Sequence, residues 1–490
     1  MFISDLLQAK SLLPVLGGGA IATVTGLLLW TLISEFTSPL KQHPGPFLAR
    51  WTNVWRLYQV WTQKYQWTIK SLHKKHGPVT EFYHNSSAYI DGKLTYHLFS
   101  TTDQADHARM KRPIVKYYSM SSILAMEGEM NPVISDFCDH LERRFMQKEN
   151  KDKKFDFGQW IAFYTWDLIS NATFSQRFGY MDKAYDFDGT IHISDQVADY
   201  LAMVGQMPFL DFLLDKNPIM RIGPPNLDNV TRISVENLVS RLNTPAESKP
   251  TEKLDFLDHF IAAMKKSPDV VDNKIMTGYL QVNMLAGADT TAITLRATFD
   301  FLLQNPRTLR KLEEEILAAN FDGTEIVSYN SARALPYLDA VVRESMRMHP
   351  GVGMLLERYV PESGLTLPNG SFVPPGASVG LSPYIIGRNK GVWGQDADDF
   401  RPERWLQRDD EDSEVYQQRL RRMNASDLTF GGGSRICIGR NIALLEVYKV
   451  VATLVSRYEI SLADPNSKIK IISSWFPRQS GLECKFKKRA

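Results

Sequence analysis

One cysteine in this chain sits between a glycine-rich turn and an apolar stretch, in Phe430-Gly431-Gly432-Gly433-Ser434-Arg435-Ile436-Cys437-Ile438-Gly439-Arg440. Glycines there let the backbone bend sharply and approach a large flat ligand, because they carry no Cβ to collide with it. Arg435 can pair with a carboxylate on such a ligand. A helix starting near Gly439 would point its positive end at Cys437 and favour the thiolate. A thiolate beside a flat, carboxylate-bearing cofactor is the chemistry of heme-thiolate ligation, in which sulfur feeds electron density to iron and favours O–O cleavage. The same residues also permit an inert buried cysteine after a turn.

The pattern Phe430-x-x-Gly433-x-Arg435-x-Cys437-x-Gly439 resembles the heme-binding loop of the cytochrome P-450 superfamily. The resemblance implies heme b, with Cys437 as the axial ligand of its iron. Phe430, Gly431 and Gly439 would shape the loop, and Arg435 would meet a propionate.

A second group of chemistry-bearing residues is Ala286-Gly287-Ala288-Asp289-Thr290-Thr291, inside an apolar stretch from Gly278 to Gln304 that reads as one long helix. An acid and two threonines are awkward there, and Gly287 costs about 1 kcal/mol relative to alanine. Threonine can bond to the carbonyl four residues back and bend the helix. Read alone, the residues fit either a groove beside a ligand or a close helix–helix crossing with a satisfied acid. The segment resembles the oxygen-binding helix of the same superfamily. On that resemblance Thr290 would hydrogen-bond the reacting oxygen, and Asp289 would supply protons through water. The acid–threonine pair disfavours subfamilies that isomerise or dehydrate peroxides without O2.

Glu344-Ser345-Met346-Arg347 sets an acid and a base on one helix face, and most such pairs are solvated. With Phe400-Arg401-Pro402-Glu403-Arg404-Trp405 it resembles the superfamily's Glu-x-x-Arg motif and its partner arginine, which implies a buried Glu344–Arg347–Arg404 network beneath the cysteine loop. Arg358 matches the superfamily's propionate-binding arginine on the following strand. His107 and Lys111, at helical spacing, match its other propionate-binding helix. Lysine there supplies charge without the bidentate fork of arginine.

The elements that must position these residues are mostly helical. Leu254–Lys265, Thr308–Ala319 and Leu335–Met348 carry helical apolar spacing, the last stopped by Pro350. Short alternating runs at Ser371–Pro374 and Ser378–Leu381 suggest brief strands. The expected fold class is mainly α with a small segregated β region. The resemblance implies the cytochrome P-450 fold, a long central helix over heme and the cysteine loop beneath.

The chain has 490 residues, a net charge of +2 with both signs interspersed, and three cysteines. These give no reason to invoke nucleic acid, a disulfide framework or a zinc cluster. Ser11 to Ile33 carries no formal charge and would make a helix about 34 Å long, enough to span a bilayer. Lys41, Arg50, Arg56 and Lys64 follow it, which puts the main body on the cytosolic side. A cleaved signal peptide is the weaker reading. The expected division is an anchor with its flanks over 1–40 and a catalytic domain over 41–490. Pro44-Gly45-Pro46-Phe47-Leu48-Ala49-Arg50 resembles the filamentous-fungal microsomal branch that includes pisatin demethylase.

Fewer than about 30 residues separate Pro78 from His107, an interval where the superfamily places two strands, a helix and a loop; two average strands and a helix need about 23 before turns. The chain is expected to lack a segment after Thr80.

The function expected is a single-pass, endoplasmic-reticulum heme-thiolate monooxygenase that inserts one atom of O2 into a lipophilic small molecule of fungal secondary metabolism. The chain has no flavin or nicotinamide fingerprint, so electrons would come from NADPH through NADPH–cytochrome P-450 reductase. Arg419, Arg421, Arg422 and Lys449 could face that acidic partner, or could be ordinary solvated charge. Val352 to Leu356 and Trp475-Phe476-Pro477 are candidate pocket walls. The alternative is a catalytically silent or poorly assembled heme protein, crippled by the shortening after Thr80.

Overall fold

A computed structural model describes residues 54–63, 88–90, 93–150, 153–217, 220–225, 227–244, 254–321, 323–367 and 370–489, together with the helical residues Thr25, Gly26, Leu29 and Ile33. Apart from those four residues, the anchor at Ser11–Ile33 lies outside the described residues. So do the boundary at 40/41, the Pro44–Pro46 turn and the junction at Thr80. Among the described residues no helix is long and apolar enough to cross a membrane.

The described chain is mainly helical with small antiparallel sheets. It runs through α1 (Val54–Trp61), a hairpin of β1 (Ala88–Ile90) and β2 (Lys93–Thr95), α2 (Gln104–Lys111), α3 (Phe157–Phe174) and α4 (Thr190–Val204). There follow α5 (Phe256–Lys266), α6 (Asn273–Gln304), α7 (Pro306–Ala318) and α8 (Pro336–Met348). The C-terminal third holds β3 (Leu356–Tyr359), β4 (Phe372–Val373), β5 (Ser378–Leu381), α9 (Arg440–Arg457), β6 (Tyr458–Leu462), β7 (Arg478–Ser480) and β8 (Glu483–Lys488). The helices and strands read from apolar spacing are all present, with ends shifted by a few residues.

The long helix α6 is the axis of the core. It starts where the Asp272 side chain accepts from the Ile275 N–H at 2.8 Å, and it stops where Pro306 begins α7. Such a cap satisfies an N–H that would otherwise lack a helical partner. α3 lies directly against α6, and almost every α3 residue is buried. Gly287 permits that approach: a Cβ there would stand 2.7 Å from Ile169 Cγ1 of α3. The room beside Gly287 is therefore filled by Ile169, so at this residue the close helix–helix crossing is found. Gly287→Val should cost about 1–3 kcal/mol through overpacking. Chemical denaturation would measure it, and an unchanged midpoint would contradict this close crossing.

α9 is buried over most of its circumference. A lysine inside it must be paired, and Lys449, fully buried, donates to Glu127 at 2.5 Å and to the Val327 carbonyl at 3.0 Å. Lys449 therefore cannot face a redox partner, contrary to the reading from sequence. Arg419 is likewise engaged: it pairs with Glu411 at 2.6 Å and donates to the carbonyls of Arg404 and Leu406. Arg421 and Arg422 are exposed.

Candidate functional site

The cysteine loop is built by its glycines. Gly431 (φ 72°) and Gly433 (φ 63°) occupy the left-handed region that disfavours residues with a Cβ. The turn closes where the Cys437 N–H donates to the Phe430 carbonyl at 2.9 Å, and α9 begins directly after Gly439. Cys437 is an exposed residue although many protein atoms surround it. Burial pushes its thiol up, against the pull of the Gly439 and Arg440 N–H groups and of the Lys111 and Arg440 cations. Burial outweighs the helix end, the reverse of the sequence expectation. The donors still face the sulfur and would favour a thiolate once a metal took the proton's place.

α2 is clamped onto this loop at both ends. Its cap residue Asp103 accepts from the Asp106 N–H at 2.6 Å, and Arg435 reaches the carbonyls of Thr101 at 2.7 Å and Asp103 at 3.4 Å. At the far end Lys111 Nζ donates to the Ser434 carbonyl at 3.2 Å. His107 is buried on the same helix, and its pKa falls to about 4 through burial, then through Arg435 and Lys111. Burial and Arg435 also lower Lys111, against the pull of Cys437. Cations crowded this way beside one sulfur depress each other's charge, an arrangement that an anion such as a heme propionate would relieve. The residues present thus fit a flat dianionic macrocycle over Cys437. Among the described residues no group of three or more His, Cys, Asp or Glu side chains could hold a metal ion.

Arg358 lies on β3, paired through Val379 of β5. Its guanidinium is exposed and donates to the Glu357 carbonyl at 2.6 Å. The adjacent Glu357, on the opposite face of the strand, is buried and ion-paired with buried Arg56 of α1 at 2.9 Å. Sequence reading missed this pair, because no local pattern joins residues 301 positions apart.

On α6, Thr290 Oγ1 donates to the Ala286 carbonyl at 2.7 Å, the back-bond expected of a threonine that bends a helix. Asp289 turns the other way. Its Oδ1 accepts from Trp166 Nε1 of α3 at 3.2 Å and its Oδ2 from Ser194 Oγ of α4 at 2.6 Å. Burial raises its pKa, opposed by Ser194, Arg296 and Trp166. The acid is thus both satisfied and held at a helix crossing, while Ala286, one turn before Thr290, is exposed.

Glu344, Arg347 and Arg404 come together. Glu344, fully buried, receives Arg347 Nε at 2.8 Å, Arg404 Nε at 3.1 Å, Trp405 Nε1 at 2.9 Å and the Arg401 N–H at 2.9 Å. The two guanidiniums also satisfy the carbonyls of Gly387, Ala397, Trp393 and Asp396. The candidate walls form one apolar cluster in which Met354 and Trp475 are buried and Val352, Leu356 and Phe476 pack beside them. Phe99, not nominated by sequence, meets Trp475 edge-on at 5.9 Å. A separate cavity of about 420 Å3 beside Thr190, Arg221 and Asp228 contains none of the nominated residues.

Comparisons with known proteins place the chain in a family. A family model for cytochrome P-450 matches residues 23–482. The chain is 45% identical to cytochrome P-450 monooxygenase cfoH of Aspergillus candidus, over 97% of this chain and 93% of that one. It is 34% identical to cytochrome P-450 monooxygenase cicH of Emericella nidulans, over 92% and 94%. The crystal structure of the cytochrome P-450DA heme domain superposes with a TM-score of 0.65 at 17% identity, over 80% of each chain, a likeness of fold. The match to the Aspergillus candidus protein runs over 504 residues, more than the 490 present here. That relative therefore has residues inside the matched span that this chain lacks.

Proposed function

Because the chain belongs to the cytochrome P-450 family and is a monooxygenase of that family, we propose that it oxygenates a lipophilic small molecule at a heme held by Cys437. Exposed Cys437, ringed by N–H donors and cations, carries this reading. Heme b bound there would supply the iron at which O2 is activated.

The chain's own residues do the rest. Cys437 Sγ would hold the iron, and Phe430, Gly431 and Gly439 hold the loop that presents it. Arg435, His107, Lys111 and Arg358 would hold the propionates by charge and hydrogen bonds. Thr290 would offer its hydroxyl to the reacting oxygen, and Asp289 would be the proton reservoir behind it. Glu344, Arg347 and Arg404 are assigned to folding and heme retention. The apolar cluster of Phe99, Val352, Met354 and Trp475 excludes water and receives the substrate's carbon skeleton. Electrons come from NADPH through NADPH–cytochrome P-450 reductase, with exposed Arg421 and Arg422 among the cations available to an acidic partner. The domain is held at the endoplasmic reticulum by a single pass within 1–40, and the pathway is fungal secondary metabolism.

The residues this chain lacks relative to its Aspergillus candidus relative favour a second reading. Among the described residues β3 and β5 pair only with each other, and Tyr359 and Leu381 on them are 55% and 52% exposed, so a shortening after Thr80 could leave this sheet without neighbouring strands. Unpaired strand edges weaken such a wall, and the result would be a silent or poorly assembled heme protein. One experiment separates the two. Full-length protein expressed in a fungal host should bind one heme per chain, and with NADPH, reductase and oxygen-18 gas it should place one labelled atom in product. Substoichiometric heme and no labelled product, with an omitted exon recovered from the transcript at Thr80, would favour the second reading.

A further inference from the structure

The two donors that hold Asp289 differ in what they can do. An indole N–H can only donate, whereas a hydroxyl can donate or accept. Oδ1, facing Trp166 Nε1, is therefore an acceptor whether or not the acid is protonated. Only Oδ2 faces a group that can accept, so a proton that is itself hydrogen-bonded sits there, with the Ser194 hydroxyl turned round to accept it. Among the described residues no cation lies within ion-pair distance of Asp289; Arg296 of α6 and Arg478 of β7 act on it through space.

Ser194 is buried, but its neighbour Asp195 has a side chain 39% exposed and paired with Arg478 at 3.1 Å. Arg478 also grips Asp199 with two bonds, at 2.7 and 2.9 Å. The charged groups that act on the acid or on its neighbours are thus Asp195 on α4, Arg296 on α6 and Arg478 on β7, with Asp199 acting on Asp195 and Asp156 on Arg296. Burial lifts Asp195 to about 6, opposed by Arg478 and reinforced by Asp289, so it exchanges protons near neutrality. Asp195 is thus partly open to solvent and close enough to feel the charge of Asp289, and its chain neighbour Ser194 is bonded to that acid.

We propose that Ser194 is the positioning residue through which Asp289 gains and loses its proton, with Asp195 as the solvent-side acid of the same relay. Asp195 gives a proton, through water, to Ser194 Oγ, while Ser194 passes its own hydroxyl proton to Asp289 Oδ2. The serine ends neutral, Asp195 ionised and Asp289 protonated, and no electrons move. This rests on the reading of Asp289 as the proton reservoir.

The test uses the full-length, heme-loaded chain without electron donor, so its first readout needs no turnover. The carbonyl infrared band of protonated Asp289 is identified by its loss in Asp289→Asn. In Ser194→Ala that band should move to the frequency of a more weakly bonded carboxyl. Removing a bond that favours the ionised form raises the acid's pKa, so the band should also persist to higher pH. Ser194→Thr, which keeps a hydroxyl, should restore both. With reductase and NADPH added, Ser194→Ala should lose at least about tenfold in product formed per NADPH consumed. Substrate affinity should hold, and Asp195→Asn should flatten the pH dependence near 6. An unchanged band and titration in Ser194→Ala would overturn the proposal, as would Ser194→Thr behaving like alanine. A protein that shows the band shifts but never turns over would count against the monooxygenase reading alone.

Discussion

Cys437→Ala is expected to abolish monooxygenation and the ferrous–CO absorption band characteristic of thiolate ligation, while leaving the fold intact. The loop does not need the sulfur. Its shape comes from the positive φ angles of Gly431 and Gly433 and from the bond between the Cys437 N–H and the Phe430 carbonyl, all of which alanine keeps. What alanine removes is the only accessible thiol among the described residues, since Cys138 and Cys484 are buried. Burial pushes the Cys138 thiol up to about 11 and likewise pushes Cys484 up, and neither is open to a ligand. Cys138→Ala and Cys484→Ala should therefore keep the band and the turnover. Absorbance of the reduced protein with and without CO, beside circular dichroism for the fold, decides the matter. A Cys437→Ala protein that kept both band and product would overturn the assignment of the axial ligand.

How far such a site can be read from the chain depends on whether its parts are local. The cysteine loop, the Glu344–Arg347 pair and the α6 segment around Asp289 are each contiguous, and helical or turn geometry decides which side chains share a face. Those could be nominated directly. The partners of Asp289 could not, because Trp166 and Ser194 stand 123 and 95 residues away and are ordinary residues of buried helices. Nothing in their local pattern marks them. Lys449 failed for a different reason. A helix that is apolar nearly all round shows no outward face, so a lone lysine in α9 reads as a surface charge until Glu127 appears beside it. Gly287 was ambiguous between a ligand groove and a helix contact, and only the position of Ile169 resolves it. Element ends were less legible: the long helix was read from Gly278, whereas the Asp272 cap starts α6 at Asn273, and α8 was read from Leu335, one residue before it starts at Pro336.

Glu344→Gln should be among the most destabilising single substitutions in this protein although it changes one atom. Every group that touches the Glu344 carboxylate is a donor: two nitrogens of Arg347, Nε of Arg404, the Trp405 indole and the Arg401 N–H. A glutamine amide would turn an N–H toward another N–H and leave two buried guanidiniums without their shared anion. Breaking a buried, fully bonded ion pair from one side costs about 3–5 kcal/mol. The carbonyls of Gly387, Ala397 and Trp393 hold the arginines in place, so the network cannot relax to water. By contrast, Arg232→Ala, which removes an exposed pair with Glu236 at 2.9 Å, should cost less than about 1 kcal/mol. Denaturant melts of the two variants, read with heme content, separate a scaffold role from a chemical one. The expected result is a large loss of stability and of bound heme in Glu344→Gln, with turnover per remaining heme near that of the parent. A stable Glu344→Gln protein with full heme and no turnover would instead move Glu344 from the scaffold into the chemistry.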